Sequence, residues 1–269
     1  MLNTPELDTS LPGRKYNVGY RHPISSMIDD LVRLFNDIGF TTVDGPEVDN
    51  EMYNFDVLNV PRNHPSRGES DTFYVDRPIS PSGRSLLRTH TSNVQHMIMK
   101  QSQTFPIRII SVGKCYRRDA VDSTHFPMFH QIEGFCVDEN ISMADLKSVL
   151  LYLAKHLFGS TTEVRLRPSY FPFTVPSVEV DAKCVICGGT GCSVCHNEGW
   201  IELGGAGMVH PNVLAVGGID PTKYSGFAFG FGIERLLMIK YGITDIRMFY
   251  ENDVRFLEKF NKVGDKNVV

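Results

Sequence analysis

An α+β domain, organised around an antiparallel hairpin and carrying amphipathic helices, is the fold this sequence predicts, and three observations predict it. Two short runs rich in Ile and Val, at 107–112 and 132–137, bracket a charged stretch whose Asp122-Ser123-Thr124 suits a turn. Apolar residues recurring every three or four positions mark helices after Pro23 and after Ser142. Neither a G-x-G-x-x-G fingerprint nor a G-x-x-x-x-G-K-[ST] phosphate loop occurs, which argues against a parallel nucleotide-binding sheet.

Composition bounds the reading. With 269 residues, 42% hydrophobic and 22% charged, the chain suits one large globular domain and excludes general disorder. No apolar run reaches the roughly 18 residues of a membrane span, and MLNTPELDTSLPGRKY lacks a secretory apolar core, so a cytoplasmic protein without a membrane partner is expected. A net charge of −4 means that nucleic-acid binding must use a local patch, such as Lys100, Arg108, Lys114, Arg117 and Arg118, or a partner subunit.

In chain order, residues 1–21 read as an arm or linker. Ile24, Met27, Ile28, Leu31, Phe35 and Ile38 form one helical face between Pro23 and Gly39, positions that suit a helix start and a left-handed cap. FTTVDGPEVDN reads as a strand broken at Gly45-Pro46, confined to an edge, a bulge or a chain contact. Residues 54–74 form an irregular loop of the kind that covers sites. Leu86-Leu87 ends a strand, and Thr89 or Thr91 caps a helix reaching about Gln103, with His90 and Ser92 at the cap, facing a ligand or simply the surface.

In the hairpin, Arg117 and Arg118 offer guanidinium forks for phosphate oxygens and Phe129 a flat face for a base. Gln131 and Glu133, two positions apart, share one strand face and make it a site floor. Ser142 and Asp145 form a variant capping box before the core stripe Leu146, Val149, Leu150, Leu153 and Leu157. Strands follow at EVRLR, SYFPFTVPSVEV and WIEL, and Phe171 and Phe173 point to one side of an extended segment, walling a pocket or joining the core. In GFAFGFGIERLLMIKYG the glycines let a ligand approach the backbone before the next helix. Arg235 in its first turn opposes the helix dipole and so calls for an anion nearby.

Four of the six cysteines, Cys184, Cys187, Cys192 and Cys195, fall in CVICGGTGCSVC, two C-x2-C knuckles suited to a closed, structural tetrahedral Zn2+ site; free thiols or a redox pair are the alternatives. Cys115 and Cys136 read as small core residues.

Three blocks taken together, HPISSMIDDLVRLFNDIGFTTVDGPEV, RRDAVDSTHFPMFHQIEGF and GFAFGFGIERLLMIKYG, resemble the three signature motifs of class II aminoacyl-tRNA synthetases. With NFDVLNVPRNHP, RTHTSNVQ, YFPFTVPSVEVD and GAGMVHPNVL between them, the chain is similar from about Leu11 to Phe260 to the phenylalanyl-tRNA synthetase α-subunit family. The resemblance implies a six-stranded antiparallel sheet with flanking helices, a catalytic domain over 22–269 and a four-cysteine insertion at about 182–199. It implies ATP-dependent activation of L-phenylalanine and its transfer to tRNA(Phe), with Mg2+ bridging the phosphates and an obligate β subunit in an α2β2 assembly. A catalytically silent or regulatory relative is the alternative.

By the same resemblance Arg117 and Arg235 are catalytic. Arg117 holds the α-phosphate, Phe129 stacks on adenine, Arg235 covers its other face and the γ-phosphate end, His125 meets the pyrophosphate side, and Asp119 and Gly232 complete the ATP site. His90, Ser92, Gln95, Gln131 and Glu133 fix the amino-acid ammonium, and Phe171, Phe173, Ala228 and Gly230 shape the phenyl pocket. Two departures stand out. No heptad pattern precedes His22, where the family carries a coiled-coil arm that helps hold tRNA, so either the form is a shortened one or those contacts come from elsewhere. HPSRGESDTFY differs from the family's HPARDMQDTFY at Gly68, Glu69 and Ser70, in a loop expected to touch substrate.

Overall fold

The computed structural model describes residues 21–76, 83–102 and 104–260 together with positions 10, 13 and 19, so most of the arm expected over 1–21 lies outside the described residues. Helix α1 (Pro23–Asp37) begins at the proline, and the ring of His22 accepts the N–H of Ile24 at 3.2 Å. Its buried stripe is Ile24, Met27, Leu31, Leu34 and Phe35. Strands β1 (Thr41–Thr42) and β2 (Val48–Asn50) flank the Gly45-Pro46 break, because a proline interrupts ladder hydrogen bonding. Next come α2 (Glu51–Asn54), two 3-10 turns (Asp56–Leu58 and Pro65–Arg67), β3 (Tyr74–Val75), β4 (Ser85–Leu87) and α3 (Asn93–Gln101). The long elements follow: β5 (Ile107–Tyr116), β6 (Met128–Glu139), α4 (Met143–Phe158), β7 (Val164–Phe171), β8 (Thr174–Lys183) and β9 (Trp200–Val209). The described chain closes with α5 (Pro211–Val216), β10 (Tyr224–Gly232), α6 (Ile233–Tyr241), a 3-10 turn (Ile246–Phe249) and α7 (Val254–Leu257).

The main sheet has the order β1-β5-β6-β10-β9-β8-β7. Six strands are antiparallel as expected, and β1 adds a seventh, two residues long and parallel to β5 through Thr41 opposite Ile109. A strand cut short by Gly45-Pro46 can occupy such an edge without disturbing the ladder. β2, β4 and β3 form a separate three-stranded sheet. One face of the main sheet packs on α1, α4 and α6 through Phe35, Ile132, Leu150, Phe229 and Leu236, with Phe35 stacked on Phe229 at 5.6 Å. The other face, carrying Ile109, Phe135 and Ala228, meets the small sheet, α3 and α5.

The capping box is present: the Ser142 hydroxyl and N–H both reach Asp145 Oδ2, at 2.6 and 2.8 Å. Two expectations are corrected. The helix after Leu87 starts at Asn93 rather than at Thr89 or Thr91, and Ser92 stands at its N-cap without a capping bond. The reason is chemical: the hydroxyls of Thr91 and Ser92 go to Glu133, and that of Thr89 accepts from Asn54. Phe171 and Phe173 do not lie on one extended segment either, because Pro172 and Phe173 are the turn between β7 and β8.

Candidate active site

A cavity of about 510 Å³ opens over β6, β10 and β9 on the face away from α1 and α6. Of the residues singled out by sequence, His90, Ser92, Gln95, Arg117, Asp119, Gln131, Glu133, Phe171, Phe173, Ala228 and Gly230 line it. Antiparallel register does part of the work: Gly230 lies opposite Glu133 and Ala228 opposite Phe135, which brings β6 and β10 onto one floor. Gly230 leaves the space taken by the Gln131 amide, whose Nε2 would stand 2.7 Å from a Cβ there.

At the centre is Glu133, 5% exposed. Its carboxylate accepts from Ser92 Oγ at 2.7 Å, Gln131 Nε2 at 3.2 Å, Thr91 Oγ1 at 3.3 Å and the Gln95 amide. All four donors are neutral. Burial therefore dominates and pushes the Glu133 carboxyl up to about 7, against the lowering pull of Ser92, Gln95 and Thr91 and of the Arg88 charge. Such a group gains most from an incoming cation.

His90 lies against Phe173, ring centroids 6.3 Å apart, and its buried Nδ1 has no hydrogen-bond partner among the described residues. Burial, aided by the Arg117 charge, lowers its pKa to about 3, so His90 is neutral. Phe171 and Phe173 stack across their turn, centroids 5.9 Å apart and planes 9° from parallel, and wall the cavity despite not sharing a strand. Arg117 donates from Nε to Thr89 O at 3.2 Å, and Asn54, fully buried, holds Thr89 through its side-chain oxygen and nitrogen.

The remaining predicted residues lie outside the cavity lining. The Phe129 ring has the Arg117 guanidinium 5.0 Å from its centroid. His125 is exposed, with Nδ1 3.0 Å from Asp122 Oδ2. Gly232 is the N-cap of α6, and Arg235, exposed in the first turn, donates to Glu202 O at 3.4 Å. Glu234 beside it is 1% exposed and already supplies a negative charge at that helix end. It accepts from the His130 N–H at 2.9 Å and from Tyr250 Oη at 2.6 Å, and lies 2.7 Å from His130 Nδ1. Tyr250 in turn stacks on Phe126 of the hairpin loop, centroids 4.4 Å apart.

Sequence reasoning missed Asn54, Thr91, Glu234 and Tyr250. The divergent loop is held by main-chain atoms: Arg118 N–H donates to Asp71 O at 2.9 Å and Arg118 Nη1 to Glu69 O at 2.8 Å, while the Glu69 carboxylate turns to Arg84. The departure at 68–70 thus leaves the loop pinned, with Ser66, Asp71 and Thr72 at the cavity.

At the β8–β9 connection the four cysteine sulfurs lie within 4.8 Å of one another, with pairs at 3.7 and 3.8 Å. Four sulfurs about 2.3 Å from a tetrahedral Zn2+ stand roughly 3.8 Å apart, so the donor set fits that ion. Backbone N–H groups of Gly191, Cys192 and Gly199 point at sulfurs of Cys187 and Cys195 at 3.1–3.3 Å. Cys115 and Cys136 are buried, as expected of core residues.

This sheet, with its arginine-bearing hairpin and glycine-rich strand leading into a helix, defines a class of protein: the model of the tRNA synthetases class II core domain (F) matches residues 6–260, and the chain belongs to that family. More particularly, it is 51% identical over 259 residues to the phenylalanine–tRNA ligase alpha subunit of Clostridium perfringens (strain SM101 / Type A), covering 96% of this chain and 74% of that one. It is 54% identical, with the same coverage, to the protein of that name from Alkaliphilus oremlandii, and 53% identical over 266 residues to that of Staphylococcus saprophyticus, covering 98% of this chain and 74% of the relative. The fold also matches the crystal structure of pyrrolysyl-tRNA synthetase from Desulfitobacterium hafniense, with a TM-score of 0.65 at 19% identity over 88% of this chain and 76% of that one. No helix of the described residues is long and apolar enough to cross a membrane.

Proposed function

We propose that this chain is the catalytic α subunit of a phenylalanine–tRNA ligase, and that the cavity binds L-phenylalanine beside ATP. One observation carries the reading: a buried carboxylate with only neutral donors, Glu133, shares a 510 Å³ cavity with two stacked phenylalanine rings and an arginine. Glu133, with Ser92, Gln95 and Gln131, takes the ammonium, and His90 borders the same end of the cavity beside Phe173. Phe171, Phe173, Ala228 and Gly230 receive the phenyl ring. The substrate carboxylate attacks the α-phosphorus of ATP and pyrophosphate leaves; a ribose hydroxyl of tRNA(Phe) then attacks the acyl carbonyl and AMP leaves. Arg117 stabilises the charge on the α-phosphate, with Asp119 beside it. Phe129, His125, Gly232 and Arg235 close on the nucleotide, so that catalysis is positioning and charge stabilisation.

Magnesium neutralises phosphate charge in this chemistry and needs one or two carboxylates. Glu202, whose main-chain oxygen accepts from Arg235, and Glu179, both now paired with Arg167, would supply them. Cys184, Cys187, Cys192 and Cys195 would hold a structural Zn2+, closing the β8–β9 connection. A β subunit in an α2β2 assembly and a cytoplasmic location complete the reading. The test is phenylalanine-dependent ATP–pyrophosphate exchange by the chain co-purified with a candidate β subunit, with zinc measured on the same sample. Exchange and about one zinc per chain are expected; absence of exchange from a properly assembled complex would overturn the assignment.

A further inference from the structure

Arg88 is 3% exposed, and among the described residues no carboxylate lies within ion-pair distance of it. A buried guanidinium without a carboxylate partner is costly, so its surroundings must compensate. They do so with main-chain oxygens, Nε donating to Lys114 O at 2.7 Å and Nη1 to Gly45 O at 2.9 Å, and with the charge of the buried Asp49, which lies beyond ion-pair distance. Its own backbone is fixed as well, the N–H donating to Glu47 O and the carbonyl accepting from the Tyr116 N–H, both at 2.9 Å. One residue thus ties the Gly45–Glu47 turn to the end of β5.

Room for it is built into the sheet. A Cβ at Gly113 would overlap the Arg88 guanidinium, with Cζ 3.0 Å away. Gly113 lies opposite Gln131 and Ser111 opposite Glu133, so Arg88 sits on the cavity face of the sheet, one register step along the strand from Glu133. The chain leaving Arg88 carries the Thr89 carbonyl that receives Arg117, then His90, Thr91 and Ser92.

We propose that Arg88 is a positioning residue for the amino-acid site, its fork locking residues 88–92 over Gly113 so that Thr91 and Ser92 reach Glu133, and its buried charge opposing the burial of that carboxylate without pairing with it. The inference rests on the amino-acid reading of the cavity. The groups facing Glu133 are the neutral Thr91, Ser92, Gln95 and Gln131. Arg88 acts on it by charge, and Cys115, which senses the Glu133 charge, is pushed up to about 12 by burial and stays a neutral thiol. Removing Arg88 therefore removes the cation whose charge opposes burial at Glu133, whereas Arg88→Lys keeps the charge and loses the fork.

The experiment compares the wild-type αβ complex with Arg88→Gln, Arg88→Lys and Gly113→Ala in pyrophosphate exchange, measuring KM for phenylalanine and for ATP from about pH 6 to 9. Arg88→Gln should raise the phenylalanine KM about tenfold and move the pH below which it climbs upward by about one unit, with the ATP KM within about twofold. Arg88→Lys should raise the phenylalanine KM with the pH midpoint unmoved. Gly113→Ala, which displaces the fork, should resemble it. A uniform loss of activity or thermal stability with an unshifted pH profile in all three would overturn the proposal while leaving the ligase reading intact. The Glu133 carboxyl can also be followed by infrared difference spectroscopy of ligand-free protein, with Glu133→Gln identifying its band. An unchanged midpoint in Arg88→Gln defeats the proposal even if exchange fails in the wild type and the ligase reading falls with it.

Discussion

The two ends of the proposed site are built in opposite ways. At the proposed amino-acid end most polar groups are buried and already engaged, His90 Nδ1 excepted: Glu133 by four donors, Thr89 by Asn54, Arg88 by two carbonyls. At the proposed nucleotide end Arg235 and His125 are exposed and lie outside the cavity lining, and the Arg117 guanidinium lies over the Phe129 ring. A small ammonium-bearing substrate has few atoms through which to be recognised, so its hooks must be set beforehand. A polyanion carries enough charge to draw long cationic side chains into place, and those side chains are better left in water until then.

The contrast breaks most sharply at Glu133. Glu133→Gln removes the charge opposite the ammonium and should lower kcat/KM for phenylalanine by about 10²–10³-fold in pyrophosphate exchange, leaving the ATP KM nearly unchanged. Stability should move the other way. The folded-state pKa of Glu133, about 7, lies above its ordinary 4.5, so the contribution of this group is full below the ordinary carboxylate range and is lost as pH rises through about 7. The loss is about 3 kcal/mol. Thermal unfolding of ligand-free Glu133→Gln should therefore show a gain over wild type at pH 8 that vanishes near pH 4.5, and an equal difference at both values would contradict the burial argument. Arg235→Ala is the counterpart at the other end: a drop of about 10–100-fold in kcat/KM for ATP, with the phenylalanine KM unmoved and melting within about 0.5 kcal/mol of wild type, because the side chain is exposed. Smaller still is the effect of pH on the intact enzyme. Phenylalanine KM should rise below about pH 7, approaching tenfold per unit as Glu133 takes up a proton, and ATP KM should stay flat over that interval.

What can be read from sequence divides along the same line. The hairpin and the shared face of Gln131 and Glu133 follow from strand period and local composition, and both hold in the fold. The cage round Glu133 does not follow, because Ser92 and Gln95 are 41 and 38 residues away and reach it only after α3 docks on the sheet. Hydroxyls at a predicted helix start look like caps until something else claims them, which is why sequence alone starts α3 too early. Arg88 is indistinguishable in sequence from a surface arginine, since only the close approach of Gly113 discloses that it is buried. Asn54, fully buried in an otherwise irregular stretch, leaves no periodic signal at all. The stacked Phe171 and Phe173 are legible as a pair, although the turn that joins them reads as strand in the sequence.

The finest test concerns the floor between the two ends. Ala228 is 7% exposed, lies opposite Phe135 and Gly207, and puts its one methyl into the cavity lined by Phe171 and Phe173. If the phenyl ring points there, that methyl limits substituents on the ring, and a single methyl in an apolar pocket is worth only about 1–3 kcal/mol of discrimination. Ala228→Gly should then admit para-substituted phenylalanines with a selectivity loss of about tenfold in exchange assays, at a stability cost of about 1 kcal/mol or less on a strand held on both sides. Neither the pH midpoint of phenylalanine binding nor the ATP KM should shift, because Glu133 and Arg235 are untouched. Unchanged discrimination between phenylalanine and its para-substituted analogues would put the ring elsewhere in the cavity. The amino-acid end would then be preformed for the ammonium alone, and selection of the side chain would have to come from Phe171, Phe173 and Thr174 at the β7–β8 turn.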